Sequence, residues 1–118
     1  MTEYLIAFND EWVPDLTDED LRKAAQAGSA LRAEMKAAGV LIFTGGLDDA
    51  APVFSVDASS GTLRFTDGPY VETKEFLGGF AIVEVPDDET AKHWAGKIAA
   101  ACGWPHEVRR FKPQPRTD

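Results

Sequence analysis

The nine residues Asp67-Gly68-Pro69-Tyr70-Val71-Glu72-Thr73-Lys74-Glu75 gather carboxylates, a phenol, a hydroxyl and an amine into one short stretch. Carboxylates held in a cleft can exchange protons with a substrate, and a nearby ammonium attracts an anion. On that chemistry Asp67 and Glu72 are the candidate catalytic residues. Asp67, Tyr70, Glu72 and Lys74 form the candidate ligand-binding set, with Lys74 drawing a small acidic metabolite. The same residues also suit an ordinary polar connection. Asp, Gly and Pro favour turns for backbone reasons, and Asp67 can hydrogen-bond the N–H groups of its own Asx turn. Glu72, Lys74 and Glu75 can pair with one another or across an interface, although surface pairs contribute only ~0–1 kcal/mol.

Elsewhere reactive groups are sparse. His93 and His106 are the two histidines. His93 falls on the flank of a helical stripe and reads as a surface residue, whereas His106 follows Pro105 at a strand start. Two histidines without evident co-ligands do not make a metal site. Cys102, on the apolar face near a helix end, reads as buried filler, since reactive thiols want an electropositive, accessible setting. As the single cysteine it excludes an intrachain disulfide framework. Gly45-Gly46 and Gly78-Gly79 lack the spacing of a phosphate loop, so no cofactor is expected. Trp12, Trp94 and Trp104 read as core before cavity lining.

These residues must be carried by regular elements. Glu3 to Phe8 alternates as a strand, apolar on both faces and so interior. Thr17 is an N-cap with Asp20 placed for a capping box. From there Leu21, Ala24, Gly28, Leu31, Met35 and Ala38 form one apolar helical stripe, which Gly39 stops. Val40 to Thr44 is wholly apolar and reads as a central strand. Val53 to Val56 and Thr62 to Thr66 form a hairpin around Asp57-Ala58-Ser59-Ser60-Gly61. Gly78 to Val85 is another strand. A second helix starts near Asp87, carries Ala91, Trp94, Ala95, Ile98 and Cys102 on one face, and ends at Gly103. His106 to Lys112 is the last strand. Without the hairpin the order is βαββαβ, a ferredoxin-like α+β plan. Residues 1–112 read as one domain and 113–118 as a loose tail.

A chain of 118 residues with 44% hydrophobic and 27% charged content suits one globular domain. Its formal charge of −8 disfavours nucleic acid and anionic membrane as partners. No apolar run approaches the ~20 residues of a membrane span. The start Met1-Thr2-Glu3-Tyr4 has no basic region of the secretory kind. The expectation is a soluble cytoplasmic protein.

The reactive stretch runs into Phe76-Leu77-Gly78-Gly79-Phe80, and together they carry a resemblance. Asp67-Gly68-Pro69-Tyr70, Glu72, Lys74-Glu75 and Gly78-Gly79-Phe80 resemble the signature of the DGPF-domain branch of the YCII-related superfamily, with Tyr70 where Phe is usual. Ala38-Gly39-Val40, Trp94-Ala95 and Glu107-Val108-Arg109 fit the same pattern, so the resemblance runs from about Tyr4 to about Phe111. It implies a ferredoxin-like fold with an inserted β-hairpin that pairs sheet to sheet into a dimeric α+β barrel. A strand set apolar on both faces is consistent with a homodimer, because a partner would cover the second face. The resemblance also implies a bacterial protein, often encoded beside an alternative sigma factor. Some relatives carry a His–Asp dyad, the His in the first helix and the Asp near the end of the second. Leu21 to Gly39 has no histidine and Ala99 to Pro105 no carboxylate, so the dyad is not carried over. Two functions follow as expectations. One is a small-molecule-binding protein or lyase/isomerase-like enzyme with a cleft near Asp67. The other is a non-catalytic homodimeric regulatory module.

Overall fold

In the computed structural model, residues 1–69 and 76–113 are described. Six strands and two long helices follow in the order β1 (Thr2–Asn9), α1 (Asp18–Ala37), β2 (Leu41–Gly46), β3 (Phe54–Asp57), β4 (Arg64–Asp67), β5 (Leu77–Val85), α2 (Asp88–Cys102) and β6 (Glu107–Arg110). A single 3₁₀ turn, Asp10–Trp12, follows β1.

The helix ends behave as their sequences dictate. Thr17 Oγ1 accepts from the Asp20 N–H at 3.1 Å, and the Asp20 carboxylate accepts from the Thr17 N–H at 3.2 Å. That reciprocal capping box satisfies two N–H groups that the helix leaves unpaired. Asp87 caps α2 by accepting from the Thr90 hydroxyl at 2.6 Å and the Thr90 N–H at 2.8 Å, and these bonds hold its carboxyl below the usual range. Gly103 ends α2 at φ 96°, a conformation that favours glycine.

Four strands form one antiparallel sheet in the order β2-β5-β1-β6. This is the ferredoxin-like α+β arrangement expected from the element order. The register pairs Tyr4 with Val83 and Ile6 with Ala81, so these residues share a face. Both helices cover that face. Tyr4, Ile6, Val83 and Val85 are buried there against Met35, Ala91, Trp94 and Ala95. Lys97 of α2 pairs with Glu34 of α1 and lies 5.4 Å from the centre of the Trp94 ring, tying the helices on their outer side.

The strand after α1 departs from expectation. β2 is an edge strand, not a central one, because β5 lies between it and β1. Its Ile42 and Phe43 stay about half exposed. Apolar residues on both faces signal a central strand only when both faces are covered, and among the described residues no helix covers the second face of the sheet.

β3 and β4 form a separate two-stranded sheet, pairing Phe54 with Asp67 and Val56 with Phe65. Phe54, Val56 and Phe65 therefore lie on one hairpin face, with Ser55, Asp57, Arg64 and Thr66 on the other. Phe54 and Phe65 are each 69% exposed. No helix among the described residues is long and apolar enough to cross a membrane. The tail expected over 113–118 lies, beyond Pro113, outside the described residues.

Candidate functional site

A cavity of about 400 Å³ opens between the helices and the covered face of the sheet. β1 contributes Ile6 and Phe8 to it, and α1 contributes Gly28, Ser29, Arg32 and Met35. Ala81 of β5, Thr44 of β2, and Ile98 and Cys102 of α2 complete the walls. His106, just before β6, closes it. Small residues on α1 at helical spacing leave the space: a Cβ on Gly28 would meet nothing within 4 Å. The volume falls in the range of small-molecule sites, roughly 300–1,000 Å³.

His106 is the titratable base of this cavity. Its Nδ1 lies 3.0 Å from the Trp104 carbonyl oxygen. A carbonyl only accepts, so Nδ1 carries the proton and Nε2 keeps its lone pair in the neutral ring. Burial pushes the imidazole pKa below its ordinary value, against the opposing effect of the Trp104 hydrogen bond. The ring is held from two sides. Phe8 meets it edge-on at 5.2 Å, and Trp104 stacks at 6.5 Å with 12° between planes. A neutral imidazole fixed at one nitrogen can accept a proton or a hydrogen bond at the other.

The other polar groups of the lining are less available. Thr44 Oγ1 donates to the Phe80 carbonyl oxygen at 3.3 Å. Burial raises the Cys102 thiol, which therefore stays protonated at neutral pH. It sits half-buried in the cavity wall. Arg32 is exposed and brings the lining its one charged side chain among the described residues.

The Phe8 ring depends on Gly78 and Gly79. A Cβ on Gly78 would lie 2.4 Å from Phe8 Cε2, and one on Gly79 would lie 2.9 Å from Phe8 Cε1 and 3.0 Å from the Gly45 carbonyl oxygen. The glycine pair of the signature thus makes room for an aromatic ring that touches His106 and Trp104.

The acidic part of the signature lies elsewhere. Asp67 is exposed on β4, opposite Phe54, and is not among the residues lining the cavity. Tyr70, Glu72, Lys74 and Glu75 lie outside the described residues. His93 is exposed and meets Trp94 edge-on at 5.2 Å. Trp94 is core, as its helical phase implies. Among the described residues no group of three His, Cys, Asp or Glu side chains is placed to hold a metal ion.

Sequence reading did not single out Ser29, Arg32 or His106 as site residues. Arg32 reads, with Arg22, Lys23 and Lys36, as the solvated side of the first helix, yet it also lines the cavity; Ser29 carries no signal of its own. The one local signal for His106 is its place in Trp104-Pro105-His106, directly after the helix stop at Gly103.

A second polar cluster lies at the far end of α2. Tyr4 Oη donates to Asp88 Oδ1 at 2.5 Å, and Arg110 Nη1 lies 3.9 Å from the same oxygen. The Asp88 hydrogen bond is the main cause of a Tyr4 pKa above the usual range. This contact fastens β1 to the start of α2.

A family model for the YCII-related domain matches residues 4–110. No curated protein matches the chain.

Proposed function

The chain belongs to the YCII-related family, and on that premise we propose that it is a small-molecule-binding protein whose ligand occupies the cavity between the two helices and the sheet. The observation that carries this reading is His106: a neutral imidazole, tethered at Nδ1, on the wall of an otherwise mainly apolar cavity of about 400 Å³. A binding site needs apolar walls for affinity and a few placed polar groups for orientation. An Nε2 lone pair facing a ligand also suits the proton transfers of lyase- or isomerase-like chemistry. In that chemistry His106 would be the proton acceptor, held in one tautomer by the Trp104 carbonyl.

A thermal-shift screen against a few hundred metabolites tests this, run on wild type, Gly28→Leu and Asp67→Asn. A ligand at ~100 times its Kd adds roughly 2.7 kcal/mol. Hits retained in Asp67→Asn and lost in Gly28→Leu support the cavity. Hits lost in Asp67→Asn and retained in Gly28→Leu move the site to the signature, with Asp67, Tyr70, Glu72 and Lys74 as its residues. No hits on wild type refute the binding function.

The uncovered apolar surface favours a second, compatible reading: the protein works as a homodimer. By strand alternation Leu5, Phe43, Phe80 and Ile82 lie on the face of the sheet away from the helices. Phe43 is 55% exposed, and it meets Phe80 with ring centres 6.0 Å apart. A two-fold partner placed sheet to sheet would bury this face on both copies, giving the α+β barrel. Sedimentation of the purified chain measures it directly, and a monomer at tens of micromolar would refute it.

A further inference from the structure

Resting on the cavity reading above, we propose that the ligand is an organic monocarboxylate with an apolar body, its carboxylate bound by the Arg32 guanidinium. The body is specified by the walls. Ile6, Phe8, Met35, Ala81 and Ile98 offer it no hydrogen bond, so along these walls, away from Ser29 and His106, a polar body would lose its water without replacement.

The head is specified by charge. His106 is neutral near pH 7 and Cys102 is a protonated thiol, which leaves Arg32 as the full charge in the lining. Among the described residues the Arg32 guanidinium has no hydrogen bond and no ion pair. By contrast, Lys97 is already engaged by Glu34 and Arg109 by Glu107. A planar guanidinium matches the two oxygens of a carboxylate with two parallel hydrogen bonds. One positive charge balances a monoanion but not a phosphate dianion.

The helix ends argue in the same direction. α2 meets the cavity at its C-terminal end, through Ile98, Ala101 and Cys102. That end carries partial negative charge and repels an anion. The carboxylate is therefore placed on the α1 side, at Arg32, and the apolar body toward Ile98 and Cys102. On α1 the lining residues Gly28, Ser29, Arg32 and Met35 follow at one-, three- and three-residue steps. They form one face, so the guanidinium stem rises from the same wall that the body packs against.

Calorimetric titration of octanoate and phenylacetate, each beside its primary amide, tests the assignment on wild type, Arg32→Gln and Gly28→Leu. The acids are expected to bind wild type at least ~10-fold tighter than the amides. Arg32→Gln should remove that preference by weakening the acids more than the amides. Added salt should weaken the acids and not the amides. Arg32 is exposed, so the variant should melt with the wild type. Equal binding of acid and amide, or a preference that survives in Arg32→Gln, overturns the carboxylate assignment. If that equal binding is also lost in Gly28→Leu, the cavity reading still stands. No binding of either class at millimolar concentration overturns the carboxylate assignment, and the metabolite screen alone then decides the cavity reading.

Discussion

Phe8 occupies the space that a side chain at Gly78 would need: a Cβ there would lie 2.4 Å from Phe8 Cε2. The same ring meets His106 and Trp104 edge-on at 5.2 and 5.3 Å. A backbone feature of the signature is thereby coupled to the wall of the cavity. Gly78→Ala should cost about 1–3 kcal/mol, the usual penalty for overpacking. Urea unfolding measures it. Adding Phe8→Ala should recover part of the loss, and a wild-type midpoint for Gly78→Ala would contradict the contact.

Gly28 and Gly96 differ from Gly78 because a Cβ at either would meet nothing within 4 Å. Both lie inside helices. Alanine at each should therefore stabilise the chain by roughly 0.5–1 kcal/mol, through the unfolded state's lost freedom. Thermal melts of the two single variants check this, and a lowered Tm for either one counts against the helix geometry. Gly28→Ala should still leave room for a ligand, which Gly28→Leu removes.

His106 should titrate below its ordinary value of about 6.5 in the folded protein. The sign follows from which state binds the proton first. As pH falls through about 6.5 the unfolded chain takes up the proton before the folded one. Stability drops over that interval and levels off below the folded pKa. His106→Phe should flatten this slope. An NMR titration of the imidazole resonances reads the folded value, and a midpoint at or above about 6.5 would show that burial does not dominate.

The hairpin offers a prediction about assembly. Phe54 and Phe65 stand on one hairpin face, each 69% exposed. A lone two-stranded hairpin is marginal in water, and contiguous apolar surface of this kind usually meets a partner. In a homodimer these rings should contact the second copy. The double variant Phe54→Ser/Phe65→Ser should then shift sedimentation toward monomer while far-UV circular dichroism stays unchanged. A variant that sediments as wild type would place the hairpin outside the interface.

Local chemistry made the elements readable before the site. Thr17 and Asp20 announce a helix start, and Gly103 a stop, because each acts within one turn of its own position. The βαββαβ order follows from those stops. The position of β2 does not, since Ile42 and Phe43 are equally apolar on an edge strand where they stay about half exposed among the described residues. The cavity was least readable of all. Phe8, Arg32, Cys102 and His106 come from separate parts of the chain, and the register of β1 and the approach of α1 to α2 bring them to one wall. Asp67 stands out in sequence because its neighbours are reactive, yet strand pairing sets it opposite Phe54 on the hairpin.

The pairing of Tyr4 with Arg110 across β1 and β6 has a consequence for synthesis. At about 5–20 residues per second a ribosome needs roughly 5–20 s to travel from one to the other. Until then one edge of β1 has no neighbour, and its backbone groups are open to any other strand. β3 and β4 need only each other, and hairpins close within microseconds. The central strand, made first, is thus completed last, and a nascent chain stalled before residue 107 would display an unpaired strand edge beside a finished hairpin.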